Sequence, residues 1–252
     1  MNDQTTFISR IHAYLRGTLT TRRGAIGRAE DAPAGTHKEY PRMQRIALPA
    51  PVALPLSLHD ALRERVSCST SGTERSLSAR ELGTLLGDAL GARDDVRRHY
   101  PSGGALYPIE TYLVGSVVTG YPSGVFHYHP KAHALEFLWE TSASFSLSHV
   151  LRADNVPIPP LLIVFTGMWN RSSIKYGDFT YPLGLLEAGH MAQNILLTAT
   201  ALSIGSRPFA GYDDATVATL LDLDTRLEQP VYCLALYPSS PQAHTSADTI
   251  FA

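Results

Sequence analysis

Apolar residues recur every three or four positions in the chain from residue 58 to residue 90, the spacing of one helical face. This spacing predicts helices over 58–65 and 78–90. Ser78 lies three residues before Glu81, the pattern of a capping box at a helix start. The apolar face of this second helix consists of Leu82, Leu85, Leu86 and Leu90.

A different pattern follows, in which short runs rich in β-branched and aromatic residues alternate with turn residues. Residues 110–118, 124–129 and 134–140 are three such runs, separated by "TGYPSG" and "PKAH" turns, which predicts an antiparallel meander. Residues 161–168, "LLIVFTGM", are a continuous apolar run, typical of a central strand buried on both faces.

The C-terminal part of the chain returns to helical periodicity. Residues 183–203 predict the longest helix, with several small side chains that favour close packing, and residues 213–223 predict another. Residues 230–238 predict a last core strand. No internal repeat divides the chain, so we expect one α+β domain built on a central, mostly antiparallel sheet flanked by helices.

The ends of the chain lack these patterns. Three prolines exclude a helix over 45–57, and the glycine-rich, charged stretch 22–35 predicts a loop. We therefore predict an N-terminal extension or arm over 1–57, the domain over 58–238, and a polar tail over 239–252.

Composition excludes several classes of protein. The chain has 252 residues and a net charge of −2, so electrostatics gives no reason to expect binding to nucleic acid or to an anionic membrane. No stretch has the length of a membrane span or the pattern of a signal peptide. Cys68 and Cys233 form no C-x-x-C pair, which favours a reducing compartment, and we expect a cytoplasmic protein.

One loop, "RRHYPSGGALYPIE" at residues 97–110, combines features of a ligand site. Arg97 and Arg98 can grip a phosphate, and Ser102 offers a hydroxyl. Gly103 and Gly104 let backbone N–H groups approach a flat or anionic ligand. A glycine-rich turn ahead of a strand explains the same residues, so the residues alone leave both interpretations open.

Other polar residues are weaker candidates for a functional site. His127 and His129 share one face of a predicted strand and His133 lies in the next turn, but no fourth ligand is obvious and we predict no metal site. Glu187, within the long predicted helix, is interpreted as a structural partner rather than as a general base.

Several motifs are specific only when they are considered together and in their order along the chain. The motifs are "THKEYPRMQRIALP" (36–49), "RVSCS" (65–69), the 97–110 loop, "IKYGD" (174–178), "LLEAGHMAQN" (185–194) and "SIGSRPFAGYDD" (203–214). From Lys38 to Pro238 the chain resembles the SagB-type dehydrogenases of the nitroreductase-like flavoprotein superfamily. These include the azoline oxidases of thiazole- and oxazole-modified peptide pathways.

The resemblance implies a nitroreductase-like fold and a homodimer that binds FMN at the subunit interface. Val66 and Ser69 replace two arginines of the family's flavin motif, Ala210 stands where glycine is usual, and nothing basic follows Arg226. Arg65, Arg97, Arg98 and Arg207 are the candidates for the FMN phosphate. The other positions that the resemblance assigns to the flavin site are Ser67, Ser69, Ser102, Gly103, Gly104, Gln193, Asn194, Phe209, Ala210 and Gly211.

Lys175 and Tyr176 match the family's Lys-Tyr pair, which the resemblance ties to catalysis. The implied reaction oxidises an azoline ring of a peptide or carrier-bound substrate to an azole. Lys175 or Tyr176 takes the proton, FMN N5 takes the hydride, and dioxygen reoxidises the flavin. A cyclodehydratase or synthetase is the implied partner protein.

Two other interpretations stay open. The chain could be another oxidoreductase of the superfamily, such as a nitro or quinone reductase or a cyclic-dipeptide oxidase. It could also be a non-catalytic scaffold subunit of a peptide-modifying complex.

Overall fold

The computed structural model describes residues 3–21, 37–68, 75–115, 118–142, 145–152 and 157–238. The loop predicted over 22–35 and the tail predicted over 239–252 lie outside the described residues. The helices are α1 (Asp3–Thr21), α2 (Leu58–Glu64), α3 (Ala79–Leu90), α4 (Asn170–Tyr176), α5 (Thr180–Ala201) and α6 (Asp214–Leu220). The strands are β1 (Gln44–Ala47), β2 (Ile109–Gly115), β3 (Gly124–His129), β4 (Ala134–Glu140), β5 (Leu161–Met168), β6 (Ile204–Phe209) and β7 (Glu228–Pro238).

The seven strands form one sheet in the order β1-β4-β3-β2-β5-β7-β6, and every neighbouring pair is antiparallel. The predicted α+β class, with a mostly antiparallel sheet flanked by helices, is confirmed. The meander is β2-β3-β4, and the apolar run at 161–168 is the strand β5, which pairs with both β2 and β7.

The two faces of β5 belong to two different cores, as alternation along a strand requires. Ile163 and Phe165 pack with α3 and α5, whereas Leu162 and Val164 pack with α6 on the other face. The capping box of Ser78 is present at the start of α3, and the apolar face predicted for that helix is buried.

Two strands escaped the sequence analysis. β1 comes from the predicted arm and pairs with β4 at one edge of the sheet. β6 contains Gly205 and Pro208, which are poor strand formers, but β6 lies at the other edge, where proline is tolerated.

The long helix α5 also differs from its prediction, since it begins at Thr180 rather than 183 and ends at Ala201. Pro182 lies in its first turn, where the missing N–H costs nothing. Ser203 adopts a left-handed φ of 56°, which ends the helix. In the described part of the chain, no helix is long and apolar enough to cross a membrane.

Candidate active site

The loop between α3 and β2 has a strained backbone that several hydrogen bonds hold in place. Gly104, Ala105 and Tyr107 have positive φ values of 65°, 55° and 47°, which is costly for the two residues that carry a Cβ. The Tyr107 N–H donates to Ser102 Oγ at 2.9 Å, and Arg171 donates to the Tyr107 carbonyl at 2.8 Å. These hydrogen bonds hold the loop backbone in its strained conformation.

Lys175 and Tyr176, at the end of α4, lie directly over this loop. A Cβ added to Gly104 would be 2.8 Å from Lys175 Nζ and 2.9 Å from Tyr176 Oη, so only glycine fits there. The Tyr176 ring also lies over Gly103, 3.5 Å from the position of an added Cβ. The fold therefore brings together residues that are more than 70 positions apart in sequence. We call Ser102, Gly103, Gly104, Lys175 and Tyr176 the loop cluster.

Glu187 of α5 lies beneath the loop cluster and is only 3% exposed. Its Oε2 accepts a hydrogen bond from Ser102 Oγ, and its carboxylate also accepts one from the Ile109 N–H. Burial raises the pKa of Glu187 to about 7, although Ser102 and Arg98 oppose the shift. Among the described residues, Glu187 Oε1 has no hydrogen-bond partner. Sequence analysis could not predict this contact, because helical periodicity does not show which residue of a loop 85 positions away a buried side chain meets.

The two arginines of the loop point in different directions. Arg98 is half-buried, with its guanidinium 4.5 Å from the centre of the Tyr107 ring and a 2.7 Å hydrogen bond to Tyr100 Oη. Arg97 is exposed and pairs with Asp94 at 2.7 Å. Both arginines and Ser102 line an open cleft of about 640 Å³.

A second group of predicted site residues gathers at the edge strand β6. The Ser67 backbone bridges to Ser206, and Arg207 reaches back to donate to the carbonyl of Cys68 at 3.5 Å. Phe209 is buried at the end of β6, and the two residues that follow it are exposed. We call Arg65, Ser67, Arg207, Ala210 and Gly211 the β6 cluster. Ser69 lies outside the described residues.

Gln193 and Asn194 have different surroundings, although they are adjacent in α5. Asn194 Nδ2 donates to the carbonyls of Ala89 and His99, at 3.1 Å and 3.2 Å, and so ties α5 to α3 and to the loop. Gln193 is exposed. In the described residues, no hydrogen bond or ion pair joins the loop cluster to the β6 cluster within one chain.

Behind the loop cluster, a buried ion network crosses the sheet. His127 Nε2 lies 2.9 Å from Glu110 and Nδ1 lies 2.9 Å from Glu136. Arg171 pairs with Glu110, and Arg45 pairs with Glu136 from the rim. Sequence analysis missed this network, because its members lie on separate strands and helices.

Charge pairing sets the pKa values in this network. Burial alone would raise the pKa of Glu110, but Arg171 and His127 hold it well below its usual value. The pKa of Glu136 is likewise lowered against burial, to about 2, by His127 and Arg45. Burial opposes protonation of His127, yet its two carboxylate partners raise its pKa. The imidazolium is therefore the favoured form of His127.

The same network fastens the N-terminal segment to the sheet. Lys38 Nζ pairs with buried Glu228 at 2.7 Å and donates to Tyr112 Oη at 2.8 Å. The Lys38 backbone N–H donates to Glu110 at 2.8 Å. The motif around Lys38 thus belongs to the core of the domain.

His37, Glu39 and His129 bring three potential ligand atoms within 4.8 Å of one another. The two Nε2 atoms are 2.9 Å apart, and the Ala132 N–H donates to His129 Nδ1 at 3.1 Å. An accepting Nδ1 leaves the proton of a neutral imidazole on Nε2, the atom that faces the other two groups. Hydrogen bonding therefore accounts for this cluster, and His133 is engaged elsewhere, with Tyr128 and Pro49.

Comparison with known proteins now gives the family. A model of the nitroreductase family matches residues 62–236, most of the chain. The chain belongs to the nitroreductase family. It is 34% identical over 185 residues to the microcin B17-processing protein McbC of Escherichia coli, covering 69% of this chain and 68% of McbC.

Two further relatives of this nitroreductase-family protein are informative. The trifolitoxin-processing protein TfxB of Rhizobium leguminosarum bv. trifolii is 27% identical over 57% of this chain and 40% of its own length. A chain of the E. coli microcin synthetase McbBCD complex, solved with truncated pro-MccB17 bound, superposes with a TM-score of 0.64 at 26% identity. That match covers 93% of this chain and 92% of the other.

These findings confirm three predictions from the sequence. The chain has the nitroreductase-like fold, it is related to the SagB-type azoline-processing proteins, and it is an oxidoreductase of that family.

Proposed function

We propose that this protein is an FMN-dependent oxidase that converts azoline rings to azoles in a peptide natural product. The observation that carries the proposal is the loop cluster, in which a lysine and a tyrosine lie over a floor of two glycines. McbC and TfxB are processing proteins of peptides, which supports a peptide substrate here.

The residues present fit an FMN. The loop offers a flavin the Ser102 hydroxyl and backbone N–H groups, and Gly103 and Gly104 leave room for Lys175 and Tyr176 to lie against it. The FMN phosphate carries close to two negative charges and needs cationic or N–H partners. Arg65 and Arg207 of the β6 cluster would supply the charges and Ser67 a hydroxyl.

Aromatisation of an azoline removes one proton and one hydride equivalent from neighbouring ring carbons. When bound, FMN supplies the hydride acceptor, and dioxygen is the final oxidant. We infer that Lys175 Nζ or Tyr176 Oη takes the proton, which is supported by the closeness of both atoms to Gly104. Lys175 Nζ also lies 5.4 Å from the centre of the Tyr176 ring, so the two side chains can act on one substrate.

We infer that two protomers complete the site, since among the described residues no hydrogen bond or ion pair joins the loop cluster to the β6 cluster. A homodimer would place the loop cluster of one protomer against the β6 cluster of its partner. Exposed leucines on α2 and α5 support such an interface. These are Leu58, Leu62, Leu185 and Leu186, which are 66%, 55%, 40% and 61% exposed.

The synthetase complex that contains a similar chain supports a further part of the proposal, that this protein receives its substrate from a partner enzyme. Such a partner would form the azoline that this protein oxidises. A cyclodehydration is the class of reaction that produces an azoline from a cysteine, serine or threonine side chain.

The decisive experiment compares Lys175→Ala with Lys131→Ala, a control at an exposed lysine in the turn between β3 and β4. Each purified protein is first scanned for bound FMN by visible absorption. We expect FMN in all three proteins, and at least a 100-fold loss of azoline oxidation in Lys175→Ala alone. Full activity in Lys175→Ala would exclude Lys175 as the base. If the wild-type protein binds no added FMN, the interpretation as an FMN enzyme is refuted and the interpretation as a scaffold subunit remains.

A further inference from the structure

Glu187 is a buried carboxyl group that the proposed chemistry does not use. It lies one helical turn after Leu183, whose side chain lies next to Gly103 on the same side as the Tyr176 ring, and its carboxylate reaches Ser102. Ser102 in turn accepts the Tyr107 N–H, the bond that closes the strained loop. Glu187 thus contacts the loop cluster through one of its members, Ser102.

The loop depends on this anchor because its backbone is strained. Ala105 and Tyr107 both adopt left-handed φ values, which persist only where surrounding contacts over-determine them. Ser102 is the member of the loop that bonds both inward, to Glu187, and across the loop, to Tyr107. Without the carboxylate, the Ser102 hydroxyl loses its charge-assisted acceptor.

The charged and titratable groups around Glu187 compensate its charge only in part. Arg98 and Tyr100 face it from the loop, and Arg171 faces it from α4. Arg98 is bonded to Tyr100, and Arg171 is paired with Glu110 of β2. Neither arginine forms an ion pair with Glu187, and Glu187 Oε1 has no partner in the described part of the chain.

We propose that Glu187 is a positioning residue that holds the Ser102–Gly104 turn beneath Lys175 and Tyr176, and that protonation of its carboxyl group loosens the turn. This proposal rests on the proposed FMN function. It predicts that FMN binding and azoline oxidation depend on pH near neutrality. The pKa of about 7 for the buried carboxyl agrees with this range. Ionised Glu187 accepts the hydrogen bond of the Ser102 hydroxyl, and protonation removes the charge that strengthens this bond.

The test measures the FMN dissociation constant by flavin fluorescence from pH 5.5 to pH 8.5. Glu187→Gln is neutral at every pH and should bind FMN about tenfold more weakly than wild type at pH 8.5 and equally at pH 5.5. Because the FMN phosphate titrates identically in both proteins, the ratio isolates Glu187. Glu140→Gln, at an exposed glutamate, is the control and should give a constant ratio near one.

A double-variant cycle tests whether Glu187 acts through Ser102. If it does, adding Glu187→Ala to the Ser102→Ala variant should weaken FMN binding no more than threefold further. Multiplicative losses, or a Glu187→Gln ratio that does not change with pH, would overturn the proposal.

Infrared difference spectra of the FMN-free protein separate this proposal from the proposed function. A protonated-carboxyl band that disappears near pH 7 in wild type, and is absent in Glu187→Gln, would establish the titration even if FMN did not bind. Binding of FMN without any such band would leave the proposed function standing and refute the role of Glu187.

Discussion

Two groups of buried carboxyls have pKa values that are shifted in opposite directions. In the ion network, Glu110 and Glu136 flank His127, and each also faces an arginine. Beneath the loop cluster, Glu187 is equally buried, but its nearest arginines are engaged with other groups. The pKa values of the first two carboxyls are lowered, and that of Glu187 is raised.

Burial is common to all three carboxyls, so the direction of each pKa shift depends on whether a cation lies in direct contact. In the network, every charge has an opposite charge at hydrogen-bond distance, which holds strands and the N-terminal segment together. Near the loop cluster, one charge is left without such a partner. A buried carboxyl without an ion-pair partner, bonded to Ser102 at the edge of an open cleft, is a candidate functional group.

Removing the centre of the network should have the largest effect on stability. His127→Ala leaves Glu110 and Glu136 buried without their shared cation, and loss of one partner from a buried ion pair costs about 3–5 kcal/mol. Urea denaturation monitored by circular dichroism measures the loss. His59→Ala, at an exposed histidine on α2, should change the free energy of unfolding by less than about 0.5 kcal/mol.

The sign of the pH dependence at His127 follows from its raised pKa. Its stabilisation is fully present below the pKa of an unfolded histidine and is lost as the pH rises through the folded value. The difference between wild type and His127→Ala should therefore shrink at alkaline pH. A constant difference would indicate that packing, and not charge, accounts for the role of His127.

Glu187 should also reduce stability as pH rises, but for the opposite reason, because its charged form rather than its neutral form is the unfavourable one in the folded protein. Folding holds its proton more tightly, so its unfavourable contribution develops as pH rises from about 4.5 to about 7. Relative to wild type, Glu187→Gln should gain about 2–3 kcal/mol in the free energy of unfolding between pH 5 and pH 8. Thermal unfolding at both pH values, with Glu140→Gln as control, measures this gain. A gain in the control variant would point to net charge instead.

The sequence was informative wherever a local period decides the structure. The capping box at Ser78, the meander and the central strand at 161–168 were all predicted, since side-chain alternation and helical spacing are local signals. Strand β6 was missed because Gly205 and Pro208 disfavour a strand locally, and only pairing with β7 stabilises it.

The candidate site likewise contains features that the sequence predicted and features that it could not predict. Lys175, Tyr176, Gly103 and Gly104 were predicted from motifs, and the fold places them together. The ion network and the unpartnered Glu187 Oε1 could not be predicted. Each depends on which side chains from distant segments meet, and no spacing in a single sequence records that.

A smaller effect is expected from Gly104→Ala, which tests strain at the loop cluster. The left-handed φ of +65° costs a residue with a Cβ about 1–2 kcal/mol, and the new Cβ would also displace Lys175 and Tyr176. Gly120→Ala is a matched control, because its φ of +87° carries a similar backbone cost with nothing within 4 Å. Chemical denaturation of Gly120→Ala should give the backbone cost alone, and Gly104→Ala should lose at least as much; only Gly104→Ala should reduce azoline oxidation. Equal loss of oxidation in both would contradict the placement of the site.

The smallest effect should come from Arg45→Ala, at the rim of the network. Arg45 is 42% exposed, and exposed partners contribute about 1 kcal/mol or less. Glu136 keeps His127 and the Tyr40 N–H, so it is not left unpaired. Because the pKa of Glu136 is lowered to about 2, its stabilisation is lost on acidification, and Arg45→Ala should move acid unfolding to higher pH. A loss as large as that of His127→Ala would mean that the network depends on its exposed rim. A small loss would show that the buried cations His127 and Arg171 are enough to balance Glu110 and Glu136, and Glu187 has no cation in such direct contact.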